Sequence, residues 1–338
     1  MSERPQGKFH SFLAPYLEKY MQIRQTMGYV LKSDIYLLRQ LDYYILWRGL
    51  SRLDQIDDHF AANWMFSVSS HAAATKNTRL VILRSLCSYL VRLDLLKENP
   101  ALKVPYLGMP PFKPYIYSLQ EIAALIHQAR TWKNSPSRLF MGWLMATLIY
   151  TLYACGLRLG EAMNLKLEDI DFSENTLSLW KTKFHKERLV PFSKETRDRL
   201  MQYLAVREMC RPSFCNPGDY VFRPTINRYY SQFIYKRFHE IRVACGFTKP
   251  HEPRLHDLRH TFAVHRLYKW YQEDKDVLNK LPLLSTFMGH VCISSTQVYL
   301  TIARGLLREG NRRFREHAEP IPQDYLEKAL KKNARAKP

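Results

Sequence analysis

"RLHDLRHTFAVHRL", Arg254 to Leu267, reads in two ways. His256 and His260 stand four apart around an aspartate, the spacing of a helix that grips zinc between two imidazoles. The same letters put His256 and Arg259 three apart, on one helical face, where they suit a phosphate. The zinc reading fails on its parts. It needs a glutamate base beside the first histidine and a third ligand. Here the base is Asp257, one methylene short, and Arg259 brings a cation to the metal's side. No HxxE or second histidine pair follows at a useful distance. The stretch is therefore read as a phosphate-handling helix, with no metal and no cofactor expected.

The rest of the chain agrees with a polyanionic partner. Its 338 residues suit two domains, and a 46% hydrophobic content is enough for real cores. A net charge of +20 points to nucleic acid, against the blander readings of a soluble basic protein or one held at anionic membranes. Six cysteines are scattered without a CxxC pair, so reduced thiols are expected. The longest apolar run, Leu139 to Tyr153, falls short of the roughly 20 residues that span a bilayer and reads as a buried helix. No signal segment is visible, so a cytoplasmic protein is expected.

Apolar residues recur at three- and four-residue spacing through four segments of the first hundred residues, which predicts a helical bundle over residues 8–102. The fourth helix follows "HAAATKN", and Lys76, Asn77 and Arg79 cluster at its expected start. A basic helix mouth is a candidate phosphate contact; an ordinary capped start is the alternative. Residues 103–115 form a proline-rich strap. A second domain, 116–318, opens at Ser118 and Glu121 with capping-box spacing. Its long apolar helix ends at Cys155–Gly156, and "LSLWKTKFHKERLVPF" alternates like a hairpin. The fold class is mainly α with a small β-sheet. Residues 319–338 form a basic tail.

Breaking a phosphodiester without a metal requires cationic donors for the non-bridging oxygens, a nucleophile, and a proton source for the leaving oxygen. Arg158 stands at a helix start after Gly156, and Arg259 lies on the quoted helix. His290 follows the Gly289 turn, and Tyr299 comes nine residues later. Alone, each piece has an ordinary structural explanation; together and in order they form a site.

That ordered set resembles the tyrosine recombinase (phage integrase) family. The resemblance rests on "ACGLRLGEAMNLKLEDID", "TKFHKERLVPF", "HDLRHTFAVH" and "FMGHVCISSTQVYLTI" and covers about residues 10 to 305. It implies an N-terminal helical, SAM-like core-binding domain and a mixed α+β catalytic domain. Arg158 and Arg259 would clamp the scissile phosphate. Tyr299 would attack it, leaving a 3′-phosphotyrosyl link and a free 5′-hydroxyl. Lys183 would protonate the 5′-oxygen, with Lys181 and Lys186 as rivals. His256 would assist proton transfer at the tyrosine, and His290 would bond a non-bridging oxygen. Glu161 would support the site, and His260 is read as a packing or supporting residue. The turn departs from the family: Thr182-Lys183-Phe184 stands where Gly-Lys-Gly is usual.

The implied partner is double-stranded DNA at a specific site, bound by a homotetramer on two duplexes, with accessory DNA-bending or partner recombinase proteins as a further possibility. Base reading is expected from Asn227–Arg242, with Arg228, Lys236 and Arg237; a solvated basic face is the alternative. Residues 323–330 are expected to dock on a neighbouring protomer, against the alternative of packing at home. Two other functions compete: a type IB topoisomerase that relaxes supercoils, and a DNA-binding regulator that no longer cuts.

Overall fold

The structure is a computed structural model. It describes residues 9–29, 32–68, 72–109, 113–131, 136–180, 187–223, 230–248, 252–273, 276–290, 293 and 296–305. The chain divides into two compact units, Met1–Phe112 and Lys113–Pro338.

The first unit holds α1 (Ala14–Thr26), α2 (Lys32–Trp47), α3 (Asp58–Phe66) and α4 (Ala73–Arg92). Their apolar faces close on Leu17, Leu38, Leu41, Ile45, Trp64 and Leu83. The buried Asp42 on α2 accepts from the backbone N–H groups of His10 and Ser11 at 2.7 and 2.9 Å, fixing the chain that enters α1. Asp57 caps α3 by accepting from the Phe60 N–H.

One expectation is corrected here. α4 begins at Ala73, earlier than the pattern suggested, because the alanines before Thr75 are strong helix formers. Asn77 and Arg79 therefore lie past the first turn, while Lys76 closes it by donating its backbone N–H to the Ala72 carbonyl. Asn77 is committed within the unit: its side chain donates to the Leu107 carbonyl at 2.9 Å and accepts from the Leu107 N–H at 2.8 Å. Arg79 is 3% exposed, with its guanidinium 3.5 Å above the Trp64 ring and a 2.7 Å bond to Ser67 Oγ. Lys76 is half-buried, its ammonium 4.9 Å from the Phe66 ring. Tyr43, Trp47, Trp64, Phe66 and Arg79 line an open cleft of about 630 Å³.

The second unit opens with α5 (Leu119–Arg130). Ser118 Oγ accepts from the Glu121 N–H, and the Glu121 carboxylate accepts from the Ser118 N–H, so two orphan donors are satisfied reciprocally. The apolar run forms α6 (Pro136–Ala154), with Leu144, Met145, Leu148, Ile149 and Leu152 buried. It packs against α5, α8 and α10, so it is a core helix. Among the described residues no helix is long and apolar enough to cross a membrane.

α7 (Leu159–Asn164) leads into a three-stranded antiparallel sheet: β1 (Ile170–Asp171), β2 (Thr176–Leu179) and β3 (Arg188–Pro191), in that order. Leu177 pairs with Ile170 on one side and Val190 on the other. All three are buried, so the apolar face sets the register. The expected hairpin is β2–β3, and β1 extends it. The hairpin turn, residues 181–186, lies outside the described residues, and with it Lys183, Lys181 and Lys186.

Among the described residues five α-helices follow: α8 (Lys194–Cys210), α9 (Tyr230–Ala244), α10 (Leu255–Gln272), α11 (Val277–Met288) and α12 (residues 296–305). A mainly helical chain with a small sheet is the fold class expected.

Candidate active site

The site is assembled where helices stop. The last carbonyls of a helix have no partner within it and carry the negative end of its dipole. α6 stops at Gly156 and α11 at Gly289, with φ of +59° and +63°, a region that costs a residue with a Cβ. Their ends hold the two expected arginines. The Gly156 carbonyl accepts from Arg259 Nη1 at 2.6 Å, and the Met288 carbonyl accepts from Arg259 Nη2. The Gly289 carbonyl accepts from Arg158 Nη2 at 2.8 Å. Close approach also demands glycine here. A Cβ at Gly289 would stand 2.6 Å from Arg188 Nη1, and one at Gly156 would stand 2.5 Å from the Phe262 ring.

A single carboxylate links the cations. Glu161, on the first turn of α7, accepts from Arg158 Nη1 at 2.7 Å and from the Arg158 backbone N–H at 2.9 Å. Arg188 on β3 grips both its oxygens, at 3.0 and 2.9 Å, and Arg259 Nη1 lies 3.8 Å away. Burial pushes the Glu161 carboxyl up, but the Arg188 fork and the Arg158 N–H outweigh it and hold the pKa at about 2. Arg188 also donates through Nε to the Phe287 carbonyl at 2.9 Å, tying β3 to the end of α11.

Sequence reasoning missed Arg188, which the structure places among these groups. It sits in the quoted "TKFHKERLVPF", but on an alternating strand a lone arginine reads as a solvent-facing residue. The only available signal was a charged residue two positions before the buried Val190, on the strand face that alternation assigns to the core.

Arg259 is 2% exposed, and burial followed by the neighbouring Arg158 pushes its pKa down. Arginine suits such a site because its charge survives perturbations that would neutralise a lysine. His256 is exposed on α10, one turn before Arg259. Desolvation, then Arg259 and Arg254, lower its pKa. Asp257 is buried and held by Arg254 at 2.7 Å, so the aspartate once weighed as a zinc-site base is an intrahelical anchor. His290 bonds Thr296 Oγ1 through Nδ1 at 2.7 Å, and burial followed by Arg259 lowers its pKa to about 4. Among the described residues no group of His, Cys, Asp or Glu side chains is arranged to hold a metal.

Tyr299 lies on α12, 4% exposed, packed with Phe262, Leu281 and Met288. Burial raises its pKa, while Arg259 and Arg158 pull it down. Its hydroxyl stands 2.7 Å from Nδ1 of His260. The histidine in hydrogen-bond contact with the tyrosine is thus His260, where the resemblance had assigned tyrosine-side proton transfer to His256. The two imidazoles pack edge to face, centroids 4.7 Å apart.

The structure therefore brings Arg158, Glu161, His256, Arg259, His290 and Tyr299 into one region. Of the expected DNA-contacting residues in this unit, Lys236 is exposed on α9 and Arg237 pairs with Glu240 at 2.6 Å. Arg228 and the tail with residues 323–330 lie outside the described residues.

Residues 118–304 match the phage integrase family. The chain is 32% identical to an integrase/recombinase of Sinorhizobium fredii, over 90% of this chain and 97% of that protein. It is 32% identical to the tyrosine recombinase XerD of Pseudomonas aeruginosa, over 80% of this chain and 86% of that one. In structure it is similar to a lambda integrase dimer bound to a core site, with a TM-score of 0.61 and 16% identity over 84% of this chain and 94% of that one. XerH bound to its difH substrate gives 0.59 and 19% over 87% and 83%. The relatives in this family are enzymes that break and rejoin DNA, and the fold is theirs. The chain belongs to the phage integrase family.

Proposed function

We propose that this recombinase moves or resolves a DNA element at a specific site, with Tyr299 as nucleophile, Arg158 and Arg259 as the phosphate clamp, and His290 as a further donor to a non-bridging oxygen. The observation that carries the assignment is the hydroxyl of Tyr299 in contact with α10, the helix that presents Arg259. Attack by Oη forms the Tyr–O–P bond and expels the 5′-oxygen, which takes a proton from a lysine of the β2–β3 turn. Lys183 is the first choice. The phosphotyrosyl ester conserves the energy of the cleaved bond, so a 5′-hydroxyl reverses the step without ATP.

Each terminal nitrogen of Arg259 carries two hydrogens, and one bond to a main-chain carbonyl leaves the second for phosphate. Glu161 holds the cationic groups in place without neutralising them all: three guanidinium groups surround one carboxylate. That surplus suits a phosphorane bearing extra negative charge. DNA contact by Lys236 and Lys76, assembly as a tetramer, and docking of residues 323–330 on a neighbour belong to the same proposal. The resemblance to integrase/recombinase and XerD proteins supports it, and so does the likeness of this chain's fold to that of recombinases solved on DNA.

The test is covalent trapping on nicked duplexes drawn from the DNA flanking the gene. A protein–DNA adduct on a denaturing gel, lost in Tyr299→Phe while DNA binding persists, is the expected result. An adduct that survives Tyr299→Phe would overturn the assignment.

A further inference from the structure

We propose that His260 is a catalytic residue of this recombinase, accepting the Tyr299 hydroxyl proton through Nδ1 as the tyrosine attacks and returning it when the strand is resealed. The inference rests on the proposed role of Tyr299 as nucleophile. It stands on one contact: Nδ1 of His260 lies 2.7 Å from Oη of Tyr299, inside a protein environment where the tyrosine is 4% exposed. A buried phenol that must lose its proton needs an acceptor within hydrogen-bond reach, and geometry decides which group that is.

His256 is exposed on the turn before and packs its ring edge to face with His260, and His290 is bonded to Thr296 through its own Nδ1. His290 approaches Tyr299 by its ring, centroids 6.3 Å apart. Among the described residues, the groups facing His260 include Arg254 at the cap of α10, His256, Asp257 and Arg259 on α10, Tyr299 on α12, and His290 after α11. Burial, then His256, lower the His260 pKa to about 4, so the ring is neutral at pH 7. A neutral imidazole with its hydrogen on Nε2 presents an acceptor at Nδ1. A protonated ring would present a donor and hold the tyrosine idle.

The step balances. Oη–P forms, P–O5′ breaks, the Oη proton moves to Nδ1, and the 5′-oxygen takes a proton from the acid on the hairpin side. In religation the 5′-hydroxyl attacks and gives its proton back to that acid, O5′–P forms, P–Oη breaks, and the departing Oη recovers its proton from Nδ1. The charge formed on His260 meets the buried carboxylate of Asp257, three residues before it on α10.

The experiment measures single-turnover cleavage, as adduct formed on the duplex that traps the wild-type chain, for His260→Phe and His260→Asn. Phenylalanine keeps the ring without a nitrogen; asparagine keeps an acceptor near the Nδ1 position without a usable base. Thermal melts and DNA affinity of both variants report folding and binding. The expected loss is about 100-fold in rate for His260→Phe with affinity unchanged, and a smaller loss for His260→Asn.

Two chemical substitutions separate the two ends of the reaction. Difluorotyrosine at position 299 is a more acidic phenol and should restore most of the His260→Phe rate. A 5′-bridging phosphorothiolate, whose sulfur leaves without a proton, should not. Wild-type cleavage by His260→Phe, or rescue by the phosphorothiolate alone, overturns the inference. No adduct from the wild-type chain on any duplex overturns the strand-transfer assignment itself, and this inference with it.

Discussion

Glu161 shows how much one side chain organises. Without it, three guanidinium groups crowd one space with nothing between them. Breaking a buried pair by removing one partner costs about 3–5 kcal/mol. Glu161→Gln should therefore lose about that much stability at pH 7 in urea melts. The pH dependence follows from the direction of the shift. The folded carboxyl lies at about 2 against an ordinary 4.5, so its stabilisation is present above pH 4.5 and drains as pH falls toward 2. The wild-type chain should lose stability across that window, and Glu161→Gln should lose less across it. Equal acid limbs for the two proteins would contradict the arrangement.

At the scale of the element, helix ends and a short loop carry the work. The carbonyls that close α6 and α11 are the same carbonyls that hold the arginines, which places left-handed glycines at both positions. The same device recurs away from the site. Arg207 on α8 is fully buried and donates to the carbonyls of Phe214, Tyr220 and Val221, pinning the segment from Phe214 to Val221. Arg207→Met fills the volume but leaves those acceptors dry, a cost of about 3 kcal/mol. Chemical denaturation should report that loss, with Met free to occupy the space but unable to replace the bonds. An unchanged midpoint would mean that water reaches the carbonyls.

On the whole-molecule scale, charge dominates. A surplus of +20 on 338 residues favours DNA through release of its counterions. Should six to ten phosphates be contacted, affinity falls about 10³- to 10⁵-fold between 50 and 200 mM salt. Fluorescence anisotropy against salt gives the slope directly, and a shallow slope would count against a phosphate-dominated interface. Lys236→Ala should weaken binding to all sequences alike and reduce the slope by about one contact.

Much of this was legible in the chain. Helical periodicity in the first hundred residues, the capping pair Ser118–Glu121 and the alternating hairpin are local patterns, and local patterns survive without tertiary contacts. The four ordered motifs named the family, because residue type and order are properties of the sequence itself. Three things were decided only by the folded chain. Arg188 joined the site because β3 lies beside the end of α11, and no spacing along the chain encodes that neighbour. Asn77 and Arg79 turned inward because Leu107 and Trp64 were there to receive them. His260, which looked like packing, met Tyr299 because the fold brings α12 up to α10 there, joining residues 39 apart. A sequence states which chemical groups are available; which two of them touch is set by how the helices pack.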